Sequence, residues 1–192
     1  MNRLHRLTRL LALVSATCAA TLVLTCLPAQ AMPLEDYAAY RPQTNCSPWA
    51  KPGTKTLGHW LVDNRGGGFG PISRPCSSAG VSEHKEGRAF DWVLDATKER
   101  QRLRATRFLE FAFKANAAGD EDVWARRMGI MYIIWNDHIY SAYDGFEKRD
   151  YLSSSCKTRR ACSKTLRHRD HMHISLSRAG GRGETLFYLT RQ

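Results

Sequence analysis

The sequence predicts an α+β fold: a single domain in which a small antiparallel sheet is flanked by helices. Three observations lead there. Short β-rich apolar runs recur, Ala89–Leu94, Ile130–Trp135 and His171–Leu176, each too brief for a typical helix. One of them is followed by Asn136-Asp137 and a second short run, His138–Tyr140, which reads as a hairpin. Between the first two runs lies one stretch with helical periodicity. Helices mixed with hairpin-linked strands argue for segregated α and β elements rather than alternating parallel units.

The elements follow in chain order. Residues 1–9 carry Arg3, Arg6 and Arg9 and no acid, residues 10–27 are mostly apolar, and Ala29-Gln30-Ala31 ends the segment. A basic start, an apolar middle and a small-x-small end predict a secretory signal peptide over 1–31, cleaved after Ala31. No later segment is apolar for long enough to cross a membrane, so no integral membrane segment is expected after cleavage. Residues 32–56 hold Pro33, Pro42, Pro48 and Pro52 and read as an irregular lead-in. The domain proper is expected over 57–192. Leu57–Val62 reads as a strand. Asn64 to Gly70 reads as a flexible glycine-rich loop, with no helix signal after it to make a phosphate cradle. Ala89–Leu94 is a buried strand with one charge inside it. Asp95 or Thr97 then caps a helix to about Ala115, with Ala105, Phe108, Leu109 and Ala112 on one face and Arg100, Arg104 and Arg107 on another. A second helical piece is expected over Glu121–Met128. Residues 141–169 read as an extended loop dense in Lys and Arg, and His171–Leu176 as a strand before Gly180-Gly181. There is no internal repeat.

Charge and cysteines set the compartment and the class of partner. Residues 1–31 hold three of the 29 basic residues and none of the 18 acidic ones, so residues 32–192 carry a formal +8. A basic exported protein favours anionic partners such as wall polymers. Four cysteines follow the signal segment: Cys46, Cys76, Cys156 and Cys162. An even count in an exported chain points to two disulfides. Three pairings are possible, and Cys156–Cys162 with Cys46–Cys76 is the expected one. The chain is therefore expected outside the cell or in the cell wall.

The chemistry lies in two clusters. His168, His171 and His173 fall within six residues, with Asp170 among them. On a strand His171 and His173 face the same way, because side chains alternate. The other cluster is Ser82-Glu83-His84-Lys85-Glu86-Gly87-Arg88-Ala89-Phe90-Asp91. Asp91 stands in an apolar run, where a carboxylate is costly unless it is paired or bound to a cation. Arg88 is one available partner. Two imidazoles and one carboxylate suit zinc, and three protein ligands leave a fourth position for water. Most of the tryptophans and tyrosines, Trp92 and Trp135 included, lie in or beside apolar runs and read as core.

These motifs resemble the superfamily of lysostaphin-type and D-Ala-D-Ala-type zinc peptidases. The pattern Ser-x-His-x-x-Gly-x-Ala-x-Asp is met in full by Ser82, His84, Gly87, Ala89 and Asp91. The ending His168-x-Asp170-His171-x-His173 is similar to that of the murein endopeptidases, and the layout to that of a group of secreted actinobacterial proteins. The resemblance implies a Zn2+ ion on His84, Asp91 and His173, with its bound water as nucleophile. It implies a base at Asp170, by one branch of the superfamily, or at His171, by another, and both residues are present. Arg74 is the candidate for holding the oxyanion, Ser82 for orienting a ligand or the loop, and His168 reads as a basic loop residue. The implied substrate is peptidoglycan or a wall peptide. The competing reading is an inactive zinc-binding module that adheres to anionic wall polymer through the loop holding Lys157, Arg159, Arg160, Lys164, Arg167 and Arg169. A nuclease would want more metals and carboxylates than this cluster offers, so nucleic acid is not an expected partner.

Overall fold

In the computed structural model, which describes residues 33–191, six strands form one antiparallel sheet: β1 (Gly68–Phe69), β2 (Ala89–Val93), β3 (Ile130–Trp135), β4 (His138–Ser141), β5 (Lys148–Asp150) and β6 (His171–Leu176). Their order is β1-β2-β6-β3-β4-β5, so the last strand in sequence sits in the middle of the sheet. Five helices accompany it: α1 (Pro52–Arg65), α2 (Glu99–Ala112), α3 (Val123–Arg127), α4 (Arg178–Arg182) and α5 (Leu186–Leu189). The signal segment at 1–31 lies outside the described residues.

Strand alternation gives the sheet two different faces. Phe90 and Trp92 of β2, Ile133 and Trp135 of β3, and Met172, Ile174 and Leu176 of β6 all enter one core. Leu57 and Leu61 of α1 and Ala105, Phe108 and Ala112 of α2 cover that face. Burying each large side chain stabilises the fold by roughly 1.5–3 kcal/mol. The opposite face carries Asp91, His171, His173, Ser175 and Tyr132, all at positions of the other parity. The ladder sets Tyr132 across from Ser175 and Asp91 across from His173.

Several expectations are corrected. Leu57–Val62 is not a strand. It belongs to α1, which begins at Pro52, so the irregular lead-in stops at Lys51 rather than residue 56. Pro52 opens the helix at a position whose amide needs no intrahelical partner, and Leu57 and Leu61, four apart, are fully buried on one helical face. The apolar Leu57, Leu61 and Val62 were compatible with either period. The helix expected to be capped by Asp95 or Thr97 and to reach about Ala115 spans Glu99–Ala112 with Lys98 at its N-cap, and the Asp95 carboxylate instead accepts the Thr97 amide in a local turn at 2.9 Å. The loop over 141–169 contains the edge strand β5. The glycine-rich loop supplies β1, which pairs with Trp92 and Val93.

Both expected disulfides are present, Cys46–Cys76 and Cys156–Cys162, with Cα separations of 5.8 and 5.5 Å. No described helix is long and apolar enough to cross a membrane. The basic loop is laced to acids of neighbouring turns. Arg167 grips Asp137 through two bonds of 2.8 Å, Arg159 reaches Asp150 at 2.8 Å and Lys164 reaches Asp95 at 2.9 Å.

Candidate metal centre

Three side chains far apart in sequence meet on the polar face of the sheet. Asp91 and His173 do so because their strands pair them directly. His84 arrives from the short 3-10 turn Glu83–Glu86, which leads into β2 through Gly87. Gly87 has φ 65°, and a Cβ there would collide with the carbonyl oxygen of Trp49, so no other residue fits this entry.

The ligand atoms form a nearly equilateral triangle. His173 Nδ1 is 3.1 Å from Asp91 Oδ1, His84 Nε2 is 3.2 Å from Asp91 Oδ1, and the two nitrogens are 3.2 Å apart. The outer nitrogens fix the tautomers. His84 Nδ1 lies 3.0 Å from the Ile72 carbonyl oxygen, which can only accept, so Nδ1 carries a proton and in the neutral ring Nε2 is then bare. His173 Nε2 lies 2.9 Å from Ser175 Oγ, and that hydroxyl lies 3.5 Å from Glu83 Oε2. The Glu83 carboxylate also accepts the Tyr132 hydroxyl at 2.6 Å. A chain ending in a carboxylate runs one way: the imidazole donates to the serine and the serine donates to Glu83, which leaves His173 Nδ1 bare. Two bare nitrogens and a carboxylate oxygen thus converge with no proton among them. Such a group repels itself unless a cation sits within it, and it could hold a metal ion.

Burial opposes charge on Asp91, but hydrogen bonds from His173 and His84, given when their facing nitrogens carry a proton, outweigh burial and hold its carboxyl well below the usual range; a bound cation would take the place of those protons. Burial pushes the His173 imidazole below its ordinary value against the pull of Asp91, and His84 adds to the shift, so the ring stays neutral and able to ligate.

The second rank of residues separates cleanly. His171 Nδ1 donates to Asp170 Oδ1 at 2.7 Å, and its Nε2 faces the triangle, 3.7 Å from Asp91 Oδ1. The other oxygen of Asp170 accepts the Thr165 hydroxyl at 2.5 Å. Burial opposes ionisation of Asp170, but those two bonds outweigh it and lower its pKa. His168 is not the surface loop residue expected from sequence. Its ring stands 4.8 Å from that of His171 and 5.7 Å from that of His173, and burial together with its histidine neighbours lowers its pKa to about 3. Arg74 comes near through its backbone, whose amide donates to the His84 carbonyl at 3.2 Å. Its side chain is exposed, and no hydrogen bond or ion pair among the described residues aims it at the centre. Ser82 is buried and makes no side-chain cap of the turn; its amide donates to Gln43 Oε1 at 2.9 Å. Arg88 does not pair with Asp91. It is buried against Glu86 at 2.6 Å and Glu83 at 3.7 Å.

Sequence reasoning missed Glu83 and Ser175 as supports of His173. Strand parity offered one signal, since Ser175 continues the row of His171 and His173. Glu83 gave none, because only the fold brings it to Ser175, 92 residues away.

Fold and site together define a small α+β domain with an antiparallel sheet carrying a His/Asp/His group on its polar face. The model of one protein family, described as VldE, C-terminal domain, matches residues 46–161. The chain belongs to that family. The matched segment contains His84 and Asp91 and ends before the cluster from His168 to His173. No curated protein and no solved structure matches the chain.

Proposed function

We propose that this chain is a secreted zinc peptidase that hydrolyses peptide bonds of cell-wall peptidoglycan. The observation that carries the reading is the triangle of His84, Asp91 and His173 with the bare Nε2 of His171 beside it. Ligands held about 2.0–2.1 Å from a tetrahedral zinc lie roughly 3.3–3.4 Å from one another. The sides of 3.1–3.2 Å are close to that value, and the N,N,O donor set suits zinc. A zinc ion held there would supply a Lewis acid that polarises the scissile carbonyl and makes water acidic enough to attack near neutral pH.

The chain's own groups divide the remaining work. Asp170 keeps the Nδ1 proton of His171 in place, so Nε2 is the basic atom facing the centre. His171 takes a proton from the attacking water and returns it to the amine nitrogen as the C–N bond breaks. In this reading Asp170 is a positioning residue and His171 the base, and the bond between them favours that branch of the two that the sequence left open. The two disulfides and the leader expected over 1–31 support export, and the resemblance of the two motifs to murein endopeptidases supports the substrate class.

The test is zinc content of the purified protein and muropeptide release from purified peptidoglycan, for wild type, His173→Ala and His171→Ala. Near-stoichiometric zinc with release is expected for wild type, and loss of both for His173→Ala. His171→Ala is expected to keep zinc and lose about 10²–10⁴-fold in rate. Zinc without release from wild type would instead leave a metal-binding module that adheres to wall polymer. Absence of zinc would overturn the metal assignment.

A further inference from the structure

A second concave site lies at the Leu176 end of β6, away from the metal ligands. It is a pocket of about 360 Å³ between the segment 45–51, the end of the 3-10 turn and α4, and four of its seven lining residues are cationic: Lys51, Arg88, Arg178 and Arg182. None of them belongs to the metal centre.

The balance of charge in the pocket is set by which partners are already engaged. Glu86 is the one acid in the lining, and it is neutralised within the protein. It accepts the Thr44 and Asn45 amides at 3.1 and 3.2 Å and the Arg88 guanidinium at 2.6 Å. Arg88 in turn is buried and fully committed, with a further bond to the Leu176 carbonyl at 2.7 Å. Arg178 donates one bond to the Thr44 hydroxyl at 2.7 Å, and that nitrogen stands 3.7 Å from Glu86. Lys51 makes only a 3.3 Å bond to the Ser47 hydroxyl. Arg182 is held by Glu184 at the rim, at 2.6 and 2.7 Å. Lys51 and Arg178 therefore keep most of their N–H donors free and facing one cavity, which leaves it positive.

The walls are fixed independently of any ligand. The Cys46–Cys76 disulfide anchors the segment that carries Asn45, Ser47 and Lys51. Its backbone is bonded to the turn, Ser47 to the Lys85 carbonyl at 2.7 Å and Lys51 to the Gly87 carbonyl at 2.9 Å. Cations are thus presented from two separate elements, the entry to α1 and the start of α4. Donors converging from several directions match a tetrahedral acceptor group better than a planar carboxylate, which one arginine fork satisfies.

We propose that this pocket binds a phosphate group, with Lys51 and Arg178 as the principal donors and Arg182 at the rim. The phosphate can come from a soluble phosphorylated compound or from a phosphodiester polymer. The inference does not depend on the metal centre.

The experiment titrates the zinc-loaded protein with inorganic phosphate and, separately, with poly(glycerol phosphate), followed by amide NMR shifts. Saturable shifts at Asn45, Ser47, Lys51 and Arg178 are expected. Arg178→Ala and Lys51→Ala should each weaken binding at least about tenfold, as loss of a charge-assisted donor does. Arg100→Ala removes the same charge from the exposed face of α2 and should leave binding unchanged. Tighter binding of the polymer with the same variant pattern assigns the site to a phosphodiester chain, and equal binding of inorganic phosphate assigns it to a soluble compound. Absence of saturation, shifts confined to the metal centre, or equal loss in Arg100→Ala would overturn the proposal.

Discussion

Ser175→Ala tests the support of the metal centre without touching a ligand. In the native arrangement Ser175 accepts the Nε2 proton of His173 and passes its own proton to Glu83, so Nδ1 is bare before any metal arrives. Removing the hydroxyl leaves a buried Nε2–H with no acceptor. The ring then gains by moving its proton to Nδ1, where Asp91 Oδ1 waits at 3.1 Å. A metal must displace that proton and break that bond. One buried hydrogen bond is worth about 1–2 kcal/mol, so metal affinity should fall roughly 5- to 30-fold, close to the ten- to hundredfold effect usual for residues that orient a ligand from behind. Glu83→Gln should act in the same direction, because the amide holds the Ser175 proton less firmly. Competition of the protein with a chromophoric chelator for zinc gives the affinity, and 15N shifts of the His173 ring give the tautomer. Unchanged affinity would refute the relay. So would a loss as complete as that of His173→Ala, which would mean that Ser175 holds the fold of the site rather than the tautomer.

Two further outcomes follow from the same geometry. His168 has its pKa lowered to about 3 by burial and its histidine neighbours, while an unfolded histidine titrates near 6.5. Below about pH 6.5 the unfolded chain binds the proton first, so this contribution is fully present above that value and is lost as pH falls toward 3. Metal-free protein should lose roughly 2 kcal/mol between pH 7 and 5 from this group. His168→Asn removes the titration and tolerates the backbone at φ 49°; a urea-denaturation series in which that variant loses as much as wild type would sink the assignment. The two disulfides should differ in weight. Cys46–Cys76 spans a sequence separation of 30 and Cys156–Cys162 one of 6. Loop-closure entropy predicts losses of about 4 and about 2 kcal/mol for their serine double variants, measured by denaturant unfolding. Equal losses would show that strain or residual structure in the unfolded chain dominates.

How much of this was legible depended on whether a signal was local. The strands at Ala89, Ile130 and His171 carried both apolar runs and β-branched residues, so their assignment needed no tertiary information. The segment from Leu57 to Val62 did not. Its apolar residues suit two periods, and what selects the helix is Pro52 five residues upstream together with a core that wants Leu57 and Leu61 on one side. The edge strand β5, Lys148–Asp150, is exposed and charged throughout, so it offers no apolar pattern at all. It forms because β4 has an unpaired edge, and its charges discourage a further strand from adding there.

The candidate site divides in the same way. Asp91 and the pair His171 and His173 stood out by residue type and spacing, because a carboxylate in an apolar strand and two imidazoles at period two are each anomalous on their own, whereas the set His84, Asp91 and His173 was implied by the resemblance to zinc peptidases. The roles of Asp170 and His171 could not be separated from spacing, since both stand within three residues of the ligand. The fold shows one short bond, Asp170 Oδ1 to His171 Nδ1, with the other nitrogen of His171 toward the centre; under the proposed function this makes Asp170 the orienter and His171 the base. Strand parity already turned Asp170 off the row of His171 and His173, but parity says nothing about which atom a neighbouring carboxylate will hold. The arrangement also explains why chemistry and core do not compete here. β6 gives Met172, Ile174 and Leu176 to one face and His171, His173 and Ser175 to the other, so the polar side chains of the centre bond to one another and to Ile72, Glu83 and Asp170 while the apolar layer below stays closed. A shift of one residue in the pairing of β2 with β6 would exchange the two faces at once, placing His173 in the core and Met172 against Asp91. The buried apolar row therefore enforces the register that the candidate metal centre needs.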